Sequence, residues 1–305
     1  MKRRALLGSG LVALGSLAGC LGEGDDPAGT DPTTGTAAPT EATSGTTDAN
    51  TPEEIGGDGT ASGGSPDSPR DVTANPGDPN PTDGFPPEPA EVPAEREVDT
   101  SSYRTIDVDG EQIQLAPIED VHYWWARQEV RVADARGLSQ YRESHILGAV
   151  ASPVGAGIDD THVGDWATDE RIVCYCGCPH HLSSMRAAEL QAAGYENVSV
   201  IDEGFFEWVD QSYPVVGSDA SNRTLYRIQG RTRPGYAGEM VLARHVGSDR
   251  VEAAPVQRDG SYEVHVRFAD VTPASRLQVE TPDYTVTATL DELTSTVVTA
   301  RLAGD

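Results

Sequence analysis

The chain has 305 residues and a formal charge of −27, from 49 acidic and 22 basic side chains. Acidity of this size argues against a nucleic-acid partner, because phosphate binding needs clustered basic side chains. Lys2 is the only lysine, and an excess of carboxylates balanced mainly by arginine indicates a surface adapted to high salt. The length allows two domains.

The N-terminal segment, residues 1–20, carries three basic residues and then a short apolar run that ends at Cys20. This run is too short to cross a bilayer as a helix. The segment resembles a twin-arginine export signal closed by a lipobox, as in lipoproteins of a salt-adapted archaeon type. The resemblance implies that Cys20 is lipidated and anchors the protein at the extracellular face of the cell membrane. An ordinary cleaved signal is the alternative.

Residues 21–99 have the composition of a tether. They contain 13 of the 21 prolines, abundant Thr, Gly and Asp, and few large apolar residues. Such a segment buries too little apolar area to offset the entropy of ordering. We therefore predict a disordered, extended tether between the export signal and the folded part.

The first folded domain is expected over 100–218. Two alternating runs joined by Asp109-Gly110 predict a β-hairpin, since this dipeptide suits a tight turn. Strands and helices then alternate, which is typical of an α/β domain with a mainly parallel sheet and helices on both faces. The predicted strands cover 130–135, 149–153, 171–175 and 198–202, and the predicted helices cover 117–126, 138–143, 183–193 and 205–211.

A candidate nucleophile, Cys176, directly follows the predicted strand 171–175 and precedes a predicted helix. Ligands of parallel sheets gather at the carboxyl ends of strands, and backbone amides at a helix start favour a thiolate. We expect Ser183 or Ser184 to cap this helix. A second thiol, Cys178, lies two residues further on, and Cys174 is expected to be a buried strand residue.

The same region, roughly 115–217, resembles a single-domain rhodanese. The matching segments are Asp134-Ala135-Arg136, Tyr141, His145-Ile146-Leu147-Gly148-Ala149, Tyr175-Cys176, Ala187-Ala188-Glu189-Leu190, Gly194-Tyr195, Glu203-Gly204, Trp208 and Tyr213-Pro214-Val215. The resemblance implies a sulfurtransferase that holds sulfur as a cysteine persulfide and passes it to a thiol or another nucleophile. We expect Asp134 and Arg136, at the end of a strand, to fix the loop by ion pairing and hydrogen bonds, and His145 to order its turn rather than to move protons.

The loop departs from the rhodanese pattern in length and composition. When the position of the nucleophile is counted forward from the end of the strand, it falls on Cys176. When it is counted back from the helix motif Ala187-Ala188-Glu189-Leu190, it falls on Cys178. The loop offers Gly177, His180, His181 and Ser183 as groups that could bind substrate, and it lacks the usual arginine. A catalytically inactive module that binds a partner, takes part in redox chemistry or binds a metal is therefore the alternative function.

A second domain is expected over 222–305, because helical periodicity gives way to two-residue alternation. About seven strands, the last over 294–302, predict an all-β sandwich that weakly resembles carboxypeptidase regulatory-like domains. Asn222 and Asn197 begin N-glycosylation sequons, of which Asn222 is the better candidate. No cofactor or resident metal is expected. The expected partners are a small sulfur donor, a thiol acceptor and the membrane through the lipid.

Overall fold

Residues 68–72 and 82–303 are described by a computed structural model of the chain. The export signal, Cys20 and most of the predicted tether lie outside these residues. The described residues all fall in one compact unit. Whether 100–218 and 222–305 fold as separate domains stays a prediction.

The N-terminal half is built on a six-stranded sheet in the order β1-β2-β7-β6-β3-β5. The hairpin strands β1 and β2 pair antiparallel, and the remaining neighbours pair parallel. The predicted turn is present, with positive φ at both Asp109 and Gly110. The strands and helices of this half are β1 (Arg104–Val108), β2 (Glu111–Ala116), α1 (Ile118–Ala126), β3 (Arg131–Asp134), α2 (Leu138–Glu143), β4 (Ser144–Ile146), β5 (Val150–Ala151), β6 (Ile172–Tyr175), α3 (His181–Ala192), β7 (Val198–Ile201), α4 (Phe205–Asp210) and β8 (Val215–Gly217).

Two buried clusters cover the two faces of this sheet. One contains the α1 tryptophans Trp124 and Trp125 together with Trp208 of α4. The other contains apolar residues of α3 packed on β2, β6 and β7. The α/β architecture predicted from the alternation of elements is therefore confirmed. A short antiparallel pair, β4 with β8, was not predicted.

Ordered structure begins before residue 100, which corrects the expected boundary of the tether. Val132 donates its backbone N–H to the carbonyl of Gly84 at 2.9 Å, and the side chain of Gln128 donates to the carbonyl of Pro86 at 2.7 Å. The indole of Trp166 donates to the carbonyl of Thr82. Residues 82–99 are thus ordered by backbone contacts, which a composition argument based on apolar content does not capture.

The C-terminal half contains two antiparallel sheets, β11-β10-β13-β14 and β12-β9, that share one apolar core. Its elements are β9 (Tyr226–Arg231), β10 (Met240–His245), β11 (Val251–Pro255), β12 (Ser261–Val266), β13 (Arg276–Glu280), β14 (Thr285–Thr289) and α5 (Leu290–Ser295). Short 3₁₀ turns connect elements in both halves, the last at Ala300–Ala303.

The strand predicted over 294–302 is wrong. Residues 294 and 295 end α5, which starts at a reciprocal capping box between Thr289 and Glu292, and 300–303 form a 3₁₀ turn. Within the described part of the C-terminal half there are six strands rather than seven. Val298 makes only an isolated bridge with Gly230.

Candidate active site

Cys176 lies where the sequence placed it, at the carboxyl end of β6 and beneath the start of α3. β6 is flanked by β3 and β7 on its two sides, so the cysteine sits inside the sheet rather than at its edge. The carbonyl of Cys176 accepts the N–H of Phe205 at 2.8 Å, which joins the loop to the start of α4. The thiol is 1% exposed.

The Cys176 thiol is surrounded by polar groups of the loop and of the first turn of α3. Its Sγ lies 3.4 Å from the hydroxyl of Ser183 and donates to the carbonyl of Cys178 at 3.1 Å. Burial raises the pKa of Cys176 to about 11, and the charge of Glu252 adds to this. The hydroxyl of Ser183 and the backbone amides of Ser183 and Leu182 act in the opposite direction. Converging amides are the feature that stabilises a sulfur anion at a helix start.

Ser183 does not cap α3, in contrast to the expectation. The N-cap is His180, in a left-handed conformation with φ of 37°, and it makes no side-chain cap hydrogen bond. Ser184 donates to the carbonyl of His181 within the helix. The helix begins two residues earlier than predicted, so the hydroxyl of Ser183 faces Cys176 instead.

Cys178 occupies a different environment from Cys176. Its thiol donates to the carbonyl of His265 at 3.2 Å and is 6% exposed. Burial and the charge of Glu252 raise the pKa of Cys178 well above its usual range, while Arg267 acts against them. Cys178 lines a cleft of about 140 Å³. Glu203, Glu207, Asp210, His265 and Arg267 are the charged and titratable residues that line this cleft with it.

Glu252, which was not predicted from the sequence, is brought by β11 from the C-terminal half to the cysteine loop. Its side chain is 1% exposed, and Oε1 accepts a hydrogen bond from Gln140 at 3.1 Å. A Cβ added to Gly177 would lie 2.3 Å from Oε1, so the carboxyl packs directly on the loop backbone. Burial raises the pKa of Glu252 to about 8, although Arg136 and Gln140 favour its charged form. A lone glutamate in a strand gives no signal in the sequence that it reaches a loop 74 residues earlier.

The two loop histidines have different surroundings. His180 Nδ1 lies 3.0 Å from Asp202 Oδ1. Burial lowers the pKa of His181 to about 4, with His180 as a further cause. His181 Nδ1 has no hydrogen-bond partner among the described residues. A role of these histidines in substrate binding stays a prediction.

The supporting residues form a buried network behind the loop. Asp134 and Arg136 make an ion pair of 2.7 Å with both side chains almost fully buried. Burial would lower the pKa of Arg136, but Asp134 outweighs it and raises that pKa. Tyr175, the residue before Cys176, donates its hydroxyl to Asp134 at 2.7 Å. His145 stacks on Tyr141 at 3.9 Å between ring centres, and its Nδ1 lies 2.7 Å from the Tyr141 carbonyl.

The remaining candidate positions are two surface asparagines and one buried cysteine. Asn197 and Asn222 are both exposed, so accessibility does not favour one sequon over the other. Cys174 is fully buried in β6. Within residues 68–72 and 82–303, no cluster of three or more His, Cys, Asp or Glu side chains could hold a metal ion. No helix among these residues is both long and apolar enough to span a membrane.

The comparison with protein families matches residues 119–211 to the model of the rhodanese-like domain. Residues 119–211 form a rhodanese-like domain. No curated protein gave a match to the chain.

Several solved structures are similar to this part of the chain. The solution structure of a rhodanese-like domain from Anabaena is 24% identical, with 35% of this chain and 82% of that chain covered and a TM-score of 0.32. A crystal structure from Bacillus halodurans is 22% identical, covering 34% and 76%, with a TM-score of 0.31. The thiosulfate sulfurtransferase of Pseudomonas aeruginosa is 23% identical, covering 35% of this chain and 20% of that chain, with a TM-score of 0.30.

Proposed function

We propose that the protein is a rhodanese-like sulfurtransferase, held at the outer face of the cell membrane by a lipid on Cys20, that carries sulfur as a persulfide of Cys176. The observation that carries the proposal is the position of Cys176 at a strand end, with the amides of Leu182 and Ser183 directed at its sulfur. An anionic persulfide would gain from the same amides.

The reaction follows from this geometry in two steps. The Cys176 thiolate attacks the terminal sulfur of a donor X–SH; the new S–S bond forms as the X–S bond breaks, and X leaves with the electron pair. An acceptor thiolate then attacks the outer sulfur of the persulfide and returns Cys176 as a thiolate. Ser183 stabilises the sulfur anion through its hydroxyl. The Asp134–Arg136 pair holds Tyr175, and thereby the strand end, in place.

Mass analysis of persulfides tests the assignment of the nucleophile. The full chain and its Cys176→Ser and Cys178→Ser variants are incubated with a sulfane sulfur donor, and each cysteine peptide is examined for a sulfur adduct. Cys176→Ser should abolish the adduct, and Cys178→Ser should leave it measurable. Cys174→Ser is the control, since it removes a buried thiol of the same strand. Loss of the adduct only in Cys178→Ser would assign the reaction to Cys178.

A second candidate function, a catalytically inactive binding or redox module, is favoured by the closure of the site. Cys176 and Glu252 are each 1% exposed, and burial holds the Cys176 thiol in its protonated form near neutral pH. Absence of a sulfur adduct on every cysteine of the folded chain, with several donors, would support this function and contradict sulfur transfer.

A further inference from the structure

The cleft beside Cys178 has an unusual balance of charge for a site in a rhodanese-like loop. Glu203, Glu207 and Asp210 line it with carboxylates, and Arg267 is the one guanidinium among its lining residues. Arg267 lies over the ring of Phe206, with 4.6 Å from its Cζ to the ring centre. An anion that enters this cleft therefore meets three carboxylates for one positive group.

A fourth carboxyl, Glu252, lies behind the cleft, against Gly177 and near Cys178. It is buried, and its contact with Gly177 leaves no room for a Cβ on that residue. Its Oε2 makes no hydrogen bond of ordinary geometry within the described part of the chain, although the Cys178 thiol lies near enough to interact with the carboxyl. A buried carboxyl oxygen without a hydrogen bond of ordinary geometry lowers the stability of the folded chain.

We propose that these carboxylates make the cysteine loop a site for sulfur carriers without net negative charge, with Glu252 as the residue that determines this specificity. The proposal rests on the proposed sulfurtransferase function and narrows its donor class. It also explains why the loop lacks the usual arginine, because a donor without negative charge needs no guanidinium.

The physical basis is charge repulsion at short range in a partly desolvated space. A unit charge at roughly 8 Å, with an effective dielectric constant of about 40, changes the local concentration of a monovalent ion about fivefold. Salt screens this effect less at a buried position than at an exposed one. An uncharged molecule of the same shape is not affected.

The charge of Glu252 depends on the groups that face it. These are Arg136 and Asp134 from the end of β3, Gln140 of α2 and Cys178 of the loop, while Cys176 senses the carboxylate from the strand end. Because the pKa of Glu252 is raised to about 8, selectivity should be greatest above that pH, where the carboxyl is ionised. The test is therefore made at about pH 9.

Two alkylating reagents of nearly equal size provide the measurement: iodoacetamide, which is neutral, and iodoacetate, which is an anion. In both reactions the cysteine thiolate forms an S–C bond and iodide leaves. Since the same thiolate attacks both reagents, the ratio of their rates at one cysteine cancels the thiolate fraction and reports the charge effect. Rates at Cys176 and Cys178 are read from peptide masses of the full chain.

We expect the ratio of iodoacetamide to iodoacetate rates to exceed that of a free thiol peptide, and Glu252→Gln to lower it about fivefold. Glu239→Gln is the matched control, because it removes one exposed carboxylate of the same half of the chain and should leave the ratio unchanged. Arg267→Gln should raise the ratio. If Glu252→Gln does not fold, Glu207→Gln at the cleft still tests the proposal, with a smaller decrease expected.

An unchanged ratio in folded Glu252→Gln, or a parent ratio no higher than that of the free peptide, would overturn the proposal. Alkylation needs no sulfur transfer, so this result is independent of the proposed function. Persulfide formation with thiosulfate and with cysteamine persulfide, which carries an amine, is then compared. If neither donor forms a persulfide while the alkylation ratios are as expected, the sulfurtransferase function is contradicted and the charge selectivity of the loop is still supported.

Discussion

Glu252→Gln should change how the stability of the protein depends on pH. The carboxyl has an ordinary pKa of 4.5 and is raised to about 8 in the folded chain, chiefly by burial. Between these values the folded state binds more protons than the unfolded state, so the free energy of unfolding falls as pH rises and levels off above about 8. At about 1.4 kcal/mol per pH unit, the loss amounts to at most about 5 kcal/mol.

The glutamine variant cannot lose this proton and keeps the hydrogen-bonding position opposite Gln140. Its stability relative to the parent should therefore increase by several kcal/mol between about pH 5 and about pH 8. Urea denaturation at constant salt measures both proteins across this range, with Glu239→Gln as the control for loss of an exposed charge. If the difference between Glu252→Gln and the parent stays within about 0.5 kcal/mol from pH 5 to pH 9, the carboxyl is not held protonated and the reasoning fails.

Three further results are expected. Asp134→Asn leaves the buried guanidinium of Arg136 without its counter-charge and should lower the free energy of unfolding by about 3–5 kcal/mol, whereas the exposed Glu97→Gln should change it little. A decrease below about 1 kcal/mol for Asp134→Asn would contradict the ion-pair interpretation. Gly177→Ala forces Glu252 away from the loop, so it should lower the free energy of unfolding by about 1–3 kcal/mol and increase the alkylation rate of Cys178. Gly235→Ala, whose added Cβ meets nothing within 4 Å, should change neither quantity. Cys20→Ser should move the protein from the membrane fraction to the soluble fraction on cell fractionation, and full retention in the membrane would contradict the lipid anchor.

Local signals in the sequence were sufficient for the main sheet and the four helices of the α/β half, although not for the short β4–β8 pair. The turn at Asp109-Gly110 is set by the backbone preferences of two adjacent residues, and the order of strand, Cys176 and helix α3 is set by short-range periodicity. The last predicted strand is wrong because the capping box of Thr289 and Glu292 starts a helix that runs into its first residues, and alternation over 294–302 does not reveal this helix.

The composition of the candidate site could be predicted only on the side that the loop itself provides. Glu252 lies in β11, where the first four residues are all buried, so its strand has no solvent face to reveal a special position. Contacts between residues more than 70 positions apart leave no periodic trace in a single sequence. The carboxyl next to two thiols therefore became visible only with the structure.

The short helix α2 has a consequence for how the chain acquires its fold. Gly137 at its N-terminus provides no side-chain cap, and the exposed N–H of Ser139 instead donates to the carboxylate of Asp249 at 3.1 Å. Arg250 binds Glu143 at the other end of the helix, and the N–H of Val251 donates to Gln140. The three consecutive residues 249–251, which lie more than 100 positions after α2 in the sequence, thus provide hydrogen-bond partners at both ends of this helix. A nascent chain that ends before residue 249 lacks these contacts, and such long-range closure slows folding, so we expect the cysteine site to mature only after residues 249–251 and the rest of β11 have been made.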